Sequence, residues 1–113
     1  MIAEPEPFSI TRSERDACEV VALVGELDME HARSVAETLE RLANGARAIV
    51  VDLSDLSFID SSGIHAILQS RPRQGEIVLV CPPGNVKRVL DVTKIDRVLP
   101  IYDTLDGALA ALR

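Results

Sequence analysis

A chain of 113 residues with 47% hydrophobic and 27% charged residues has the profile of one globular domain, too short for two and too apolar for disorder. Its 12 basic residues against 18 acidic ones leave a formal net charge of −6, the wrong sign for neutralising nucleic-acid phosphates, and Phe8, Phe58 and Tyr102 are too few rings to stack on bases. No window approaches the ~18 uninterrupted apolar residues of a membrane span, and residues 1–7 have neither the basic start nor the apolar stretch of a secretion signal. A cytoplasmic protein is expected, with neither a membrane nor a direct nucleic-acid partner.

Residues 1–7 hold two prolines and two glutamates and are expected to be a flexible lead-in to a domain over 8–113. Five extended runs follow: Phe8–Arg12, Ala17–Gly25, Ala48–Leu53, Ile77–Cys81 and Val98–Ile101. The first alternates Phe8 and Ile10 with polar neighbours and reads as an edge strand; the polar break Ser13–Asp16 joins it to the second as an antiparallel hairpin. The other four are nearly continuous in aliphatic residues, as in strands covered on both faces.

From Met29 to Ala43, the residues Met29, Ala32, Val35, Ala36, Leu39, Leu42 and Ala43 fall three and four apart, which predicts a helix with one apolar stripe, ended by Asn44-Gly45. A second helix begins near Ser61, with Ile64, Ile67 and Leu68 inward, and must stop by Pro72. A third fits Asn85–Val92 with Val86, Val89 and Leu90 inward, and a fourth fits Asp103–Leu112 with Leu105, Ala108, Leu109 and Leu112 in one stripe. The order β-β-α-β-α-β-α-β-α, with right-handed crossovers, gives an α/β domain with a mixed, mainly parallel sheet.

Cys18 and Cys81 lie 63 positions apart in apolar runs, with no CxxC spacing and no nearby histidine, so buried reduced thiols are expected rather than a disulfide or a metal site. The six glycines stand alone, so the chain has neither GxGxxG nor GxxxxGK[ST] and no nucleotide cofactor of its own is expected. Ile59-Asp60-Ser61-Ser62-Gly63 approaches a nucleophile elbow, but GxSxG needs a small residue where Ile59 sits, and nothing in the sequence pairs His31 or His65 with a serine. An enzyme is not expected.

Two strand-to-helix junctions remain. Gly25-Glu26-Leu27-Asp28 leads into the first helix, and Asp52-Leu53-Ser54-Asp55-Leu56-Ser57-Phe58-Ile59-Asp60-Ser61-Ser62-Gly63 leads into the second. Taken singly, each is explained by a turn and a capping residue, Asp28 in one and Asp60 or Ser61 in the other. Taken together, they say more, because the C-terminal ends of parallel strands gather on one edge, where open α/β sheets place their sites. Asp28, Asp60, Ser61 and Ser62 are therefore expected to share a surface. Residues 1–60 sum to −8 and residues 61–113 to +2, so that surface either favours a basic partner or only keeps the protein soluble.

GELD before an amphipathic helix, then DLSDLSFIDSSG leading into another, resembles the STAS domain in its anti-sigma factor antagonist form, from about Phe8 to Leu112. The resemblance implies a four- or five-stranded mixed sheet with about four helices packed largely on one side. It also implies partner switching: the unmodified form binds an anti-sigma factor that is a serine kinase and so frees the sigma factor, the kinase uses its own ATP to phosphorylate the domain, and a phosphatase resets the cycle. By position the phosphoacceptor is Ser61, with Asp28, Asp60, Ser62 and Gly63 on the partner-facing surface. Where the family usually has a small residue two places after this glycine, the chain has His65, either a partner or phosphate contact or a plain surface histidine. Arg71-Pro72-Arg73 also shortens the second helix by about a turn. A second reading, a STAS subunit of a larger assembly such as a lipid-transport accessory or a stress-signalling scaffold, fits the same fold.

Overall fold

The structure, a computed structural model, describes residues 7–70 and 75–113. The expected lead-in, apart from Pro7, and Arg71-Pro72-Arg73 lie outside the described residues.

The first two strands, β1 (Ser9–Arg15) and β2 (Cys18–Leu27), form an antiparallel hairpin in register from Ser9 opposite Val24 to Arg15 opposite Cys18. Both outrun the expected Ser13–Asp16 break, because the connection is only Asp16-Ala17, at φ 52° and 64°. Positive φ at both positions is the two-residue turn whose twist matches that of the flanking strands. The polar residues of the break belong to β1, an edge strand as expected, where they reach solvent.

Helix α1 (Met29–Ala43) leads to β3 (Ala48–Ile59), then α2 (Ser61–Gln69), β4 (Glu76–Val80), α3 (Asn85–Val92), β5 (Ile101–Tyr102) and α4 (Leu105–Leu112). The strands lie side by side in chain order, and every pairing after the first is parallel. β3 continues six residues past the expected Leu53. Its pairing with β4 ends at Asp52 opposite Val80, whereas β2 stays beside it to Ile59, so Ser54, Asp55 and Ser57 lie in a strand bonded on one side only and project to water.

The expected strand Val98–Ile101 is displaced. Ile95–Arg97 form a 3₁₀ turn, and the N–H groups of Val98 and Leu99 both donate to the Ile95 carbonyl at 2.9 Å, which takes them out of the sheet. Pairing resumes only when the Pro100 and Tyr102 carbonyls accept from Leu79 and Cys81, making β5 Ile101–Tyr102. Helix α4 starts two residues later than expected, since Thr104 is its cap and accepts from the Gly107 N–H at 3.0 Å.

Alternation along the strands divides the core. Val21, Leu23, Ile49, Val51, Ile77 and Leu79 face α1, α2 and α3, whereas Val20, Val50, Val78 and Val80 face α4 alone. The helices thus pack largely on one side. Cys18 and Cys81 are free and buried, Cys18 in the cluster under α4 and Cys81 in the other. The one expected core residue of α1 found outside is Met29, 78% exposed because the first turn overhangs the end of the sheet.

Candidate functional site

At the first junction, Gly25 takes φ 94°, and the register of β2 against β3 shifts between Gly25 and Glu26. A residue with a side chain rarely adopts that backbone conformation. The Ser57 hydroxyl donates to the Gly25 carbonyl at 3.0 Å and holds the irregularity in place. Three residues after Gly25, Asp28 is extended (φ −121°, ψ −169°) and caps α1, its Oδ1 accepting from the Glu30 N–H at 3.0 Å.

The second junction repeats this construction. Asp60 is extended (φ −116°, ψ −175°) and caps α2, its Oδ1 accepting from the Gly63 N–H at 3.1 Å. Leu27 pairs with Ile59, and the Asp60 N–H donates to the Leu27 carbonyl at 3.2 Å. That bond sets the two caps side by side at the C-terminal edge of the sheet. Ser61, the first residue of α2, is exposed; Ser62 is half-buried; His65, one turn on, is exposed.

Gly63 differs from the others because it faces the core. A Cβ there would meet Leu27 Cγ at 2.6 Å and Cδ2 at 2.9 Å, and Ile59 Cγ1 at 3.1 Å. It lets the start of α2 lie directly on the last residues of both strands. Ser62 and His65 open instead onto a shallow groove between α1 and α2, bordered by Arg33, Ala36, Glu37 and Gln69.

Sequence reasoning passed over three residues of this edge. His31 stacks on Phe8 (centroids 4.3 Å apart, planes at 18°) and brings Nδ1 to 3.2 Å from Asp28 Oδ1. The angle does not make a hydrogen bond, since that nitrogen is buried without a partner among the described residues. The Asp28/His31 spacing of three was the available signal. Met29 and Phe58, 78% and 45% exposed, are large apolar side chains in water beside the two caps, and no sequence signal separates them from core residues. Asp28, Glu30 and His31 place donor atoms within 4.8 Å of one another, but they lie along one helix start and Asp28 is already engaged as its cap, which fits capping better than a metal centre.

The edge therefore presents an exposed hydroxyl at a helix N-terminus, where N–H groups and the helix dipole favour an anion, with the acids Glu26, Asp28, Glu30 and Asp60 at the two junctions that meet there. No helix among the described residues is long and apolar enough to cross a membrane.

Comparison with known proteins agrees with this construction. Residues 9–108 match the family model of the STAS domain. The chain is 26% identical over 116 residues to the anti-sigma-F factor antagonist RsfB of Mycobacterium tuberculosis, covering 99% of this chain and 95% of the relative. It is 34% identical over 101 residues to the anti-sigma F factor antagonist of Paenibacillus polymyxa, covering 82% and 85%. The crystal structure of an anti-sigma factor antagonist from Mycobacterium paratuberculosis superposes with a TM-score of 0.88 at 28% identity, covering 99% of each chain. With the sheet order, the paired caps and the GELD and DSSG junctions all in place, the chain belongs to the STAS domain family, in its anti-sigma factor antagonist group.

Proposed function

We propose that the unmodified protein binds an anti-sigma factor that is also a serine kinase, releasing the sigma factor, and that phosphorylation at Ser61 ends the interaction until a phosphatase removes the phosphate. The protein is then a cytoplasmic regulatory module without catalysis or cofactor of its own, ATP being bound by the partner. The observation that carries the reading is the position of Ser61: exposed, first in α2, on an edge where Asp60 and Asp28 are tied together through the Leu27 carbonyl. Asp28, Asp60, Ser61, Ser62 and His65 form the contact surface, and Gly63 serves it through the backbone it lets α2 adopt.

In the transfer step the Ser61 oxygen attacks the γ-phosphorus of ATP and the bond to the β–γ bridging oxygen breaks. ADP leaves, and the hydroxyl proton passes to a base of the partner. Within the free protein the new phosphate meets a helix N-terminus that favours it by about 0.3–1 kcal/mol, so folding is spared. Within the complex the same group adds about −1.5 to −2 charges facing the nucleotide phosphates and must be desolvated, at a cost of several kcal/mol in affinity.

The test is incubation with ATP and each candidate anti-sigma kinase of the source organism, with the phosphate mapped by mass spectrometry and binding measured before and after. Phosphate on Ser61 with loss of binding is expected, and Ser61→Ala binds but takes no phosphate. Phosphate on Ser62, or a Ser61→Asp protein that binds as tightly as the parent, overturns the assignment.

A further inference from the structure

Among the described residues, four large apolar side chains are exposed: Met29, Phe58, Val92 and Val98. They divide between the two ends of the sheet. Val92 ends α3, which runs back from the C-terminal edge, and Val98 precedes the start of β5, so both lie at the far end. Met29 directly follows the cap Asp28, and Phe58 stands two residues before the cap Asp60. Phe58 lies beyond the part of β3 that α4 covers, Ala48 and Val50, and its neighbour across the ladder is the exposed Glu26.

Interface centres are enriched in Met and aromatic residues, with charge at the rim. Resting on the partner-switching reading, we infer that Met29 and Phe58, each next to one of the two caps in the chain, are the apolar anchors of the kinase interface, and that the partner meets them with apolar pockets rimmed by lysine and arginine. Charge complementarity selects the rim, since Asp28 and Glu30 flank Met29 in the chain, Glu26 lies opposite Phe58 in the ladder and Asp60 follows two residues after it, and like charges opposite these four carboxylates would repel. The acids steer and orient the encounter, while the two side chains supply the burial that slows dissociation. Two fixed points beside the caps then hold the orientation of the edge that carries the unmodified serine, as the transfer needs.

The test uses the kinase identified by the phosphate mapping and compares Met29→Ala, Phe58→Ala, Val92→Ala and Ser61→Asp by calorimetry at low and high salt. Both anchor substitutions are of exposed residues and should leave the melting curve in place. Each is expected to weaken binding by about tenfold or more; Val92→Ala is expected to change nothing, and added salt to weaken binding of the parent. If Ser61→Asp abolishes binding while Met29→Ala and Phe58→Ala retain parental affinity, the anchor inference is wrong and the switch stands. If no candidate kinase binds the unmodified parent, or if Ser61→Asp binds normally, the underlying reading fails and the inference with it.

Discussion

Adding one methyl group at Gly63 measures how closely α2 rests on the strand ends. An alanine Cβ would stand 2.6 Å from Leu27 Cγ and 2.9 Å from Cδ2, where carbon atoms ordinarily keep about 3.5–4.0 Å. Leu27 is fully buried and touches β3 and the helices, so it cannot swing aside. Overpacking of this kind costs about 1–3 kcal/mol, against which the better helix propensity of alanine returns at most about 1 kcal/mol. The net loss is about 1 kcal/mol, a fall in Tm of about 4 °C for a domain of this size. Thermal denaturation followed by circular dichroism reads it, with Gly45→Ala as the control, since a Cβ there meets nothing within 4 Å. In a Leu27→Ala background the Gly63→Ala penalty should fall, because the two nearest colliding atoms are gone and only Ile59 Cγ1 at 3.1 Å remains. A Gly63→Ala protein as stable as the parent, or a penalty undiminished in the Leu27→Ala background, refutes the close-packing argument.

Asp28→Asn retains an amide oxygen to accept from Glu30 and should change stability by a few tenths of a kcal/mol, whereas Asp28→Ala should cost about 1 kcal/mol; if the Asn protein binds the kinase like the parent, Asp28 is only a cap. Burial pushes the Cys81 thiol above its ordinary 9.0, against the opposing pull of Lys87. Because the folded state holds that proton after the unfolded state has lost it, stability should fall as pH rises past about 9. Melting curves at pH 8 and 10 should show a smaller drop for Cys81→Ala than for the parent, and equal drops would refute the assignment. With Cys18 and Cys81 in separate clusters, reducing and non-reducing gels should show the same mobility.

Periodicity alone determined most of the architecture. The stripe from Ala32 to Leu42, the aliphatic runs of β2, β3 and β4 and the cap Asp28 are local patterns, set by 3.6- and 2-residue repeats and by which side chains can satisfy a free helix N–H, whereas the second cap, open in the sequence between Asp60 and Ser61, is Asp60 in the structure. What the chain's own pattern could not reveal depends on neighbours distant in sequence. Val98 and Leu99 look like strand, but the Ile95 carbonyl captures their N–H groups, and only the place where β4 has free partners decides that β5 is Ile101–Tyr102. Met29 continues the apolar stripe of α1 and Phe58 the apolar content of β3; they end in solvent because sheet and helices stop short of them. Gly63 reads as part of a motif, yet the need for glycine there comes from Leu27 and Ile59 lying across the junction. That the Asp28 and Asp60 caps lie on one edge follows from long-range pairing, the last rungs of the β2–β3 ladder and the Asp60 N–H to the Leu27 carbonyl. Burial, and the freedom of a side chain to meet a partner, are properties of what packs around a residue, and only the assembled sheet supplies them.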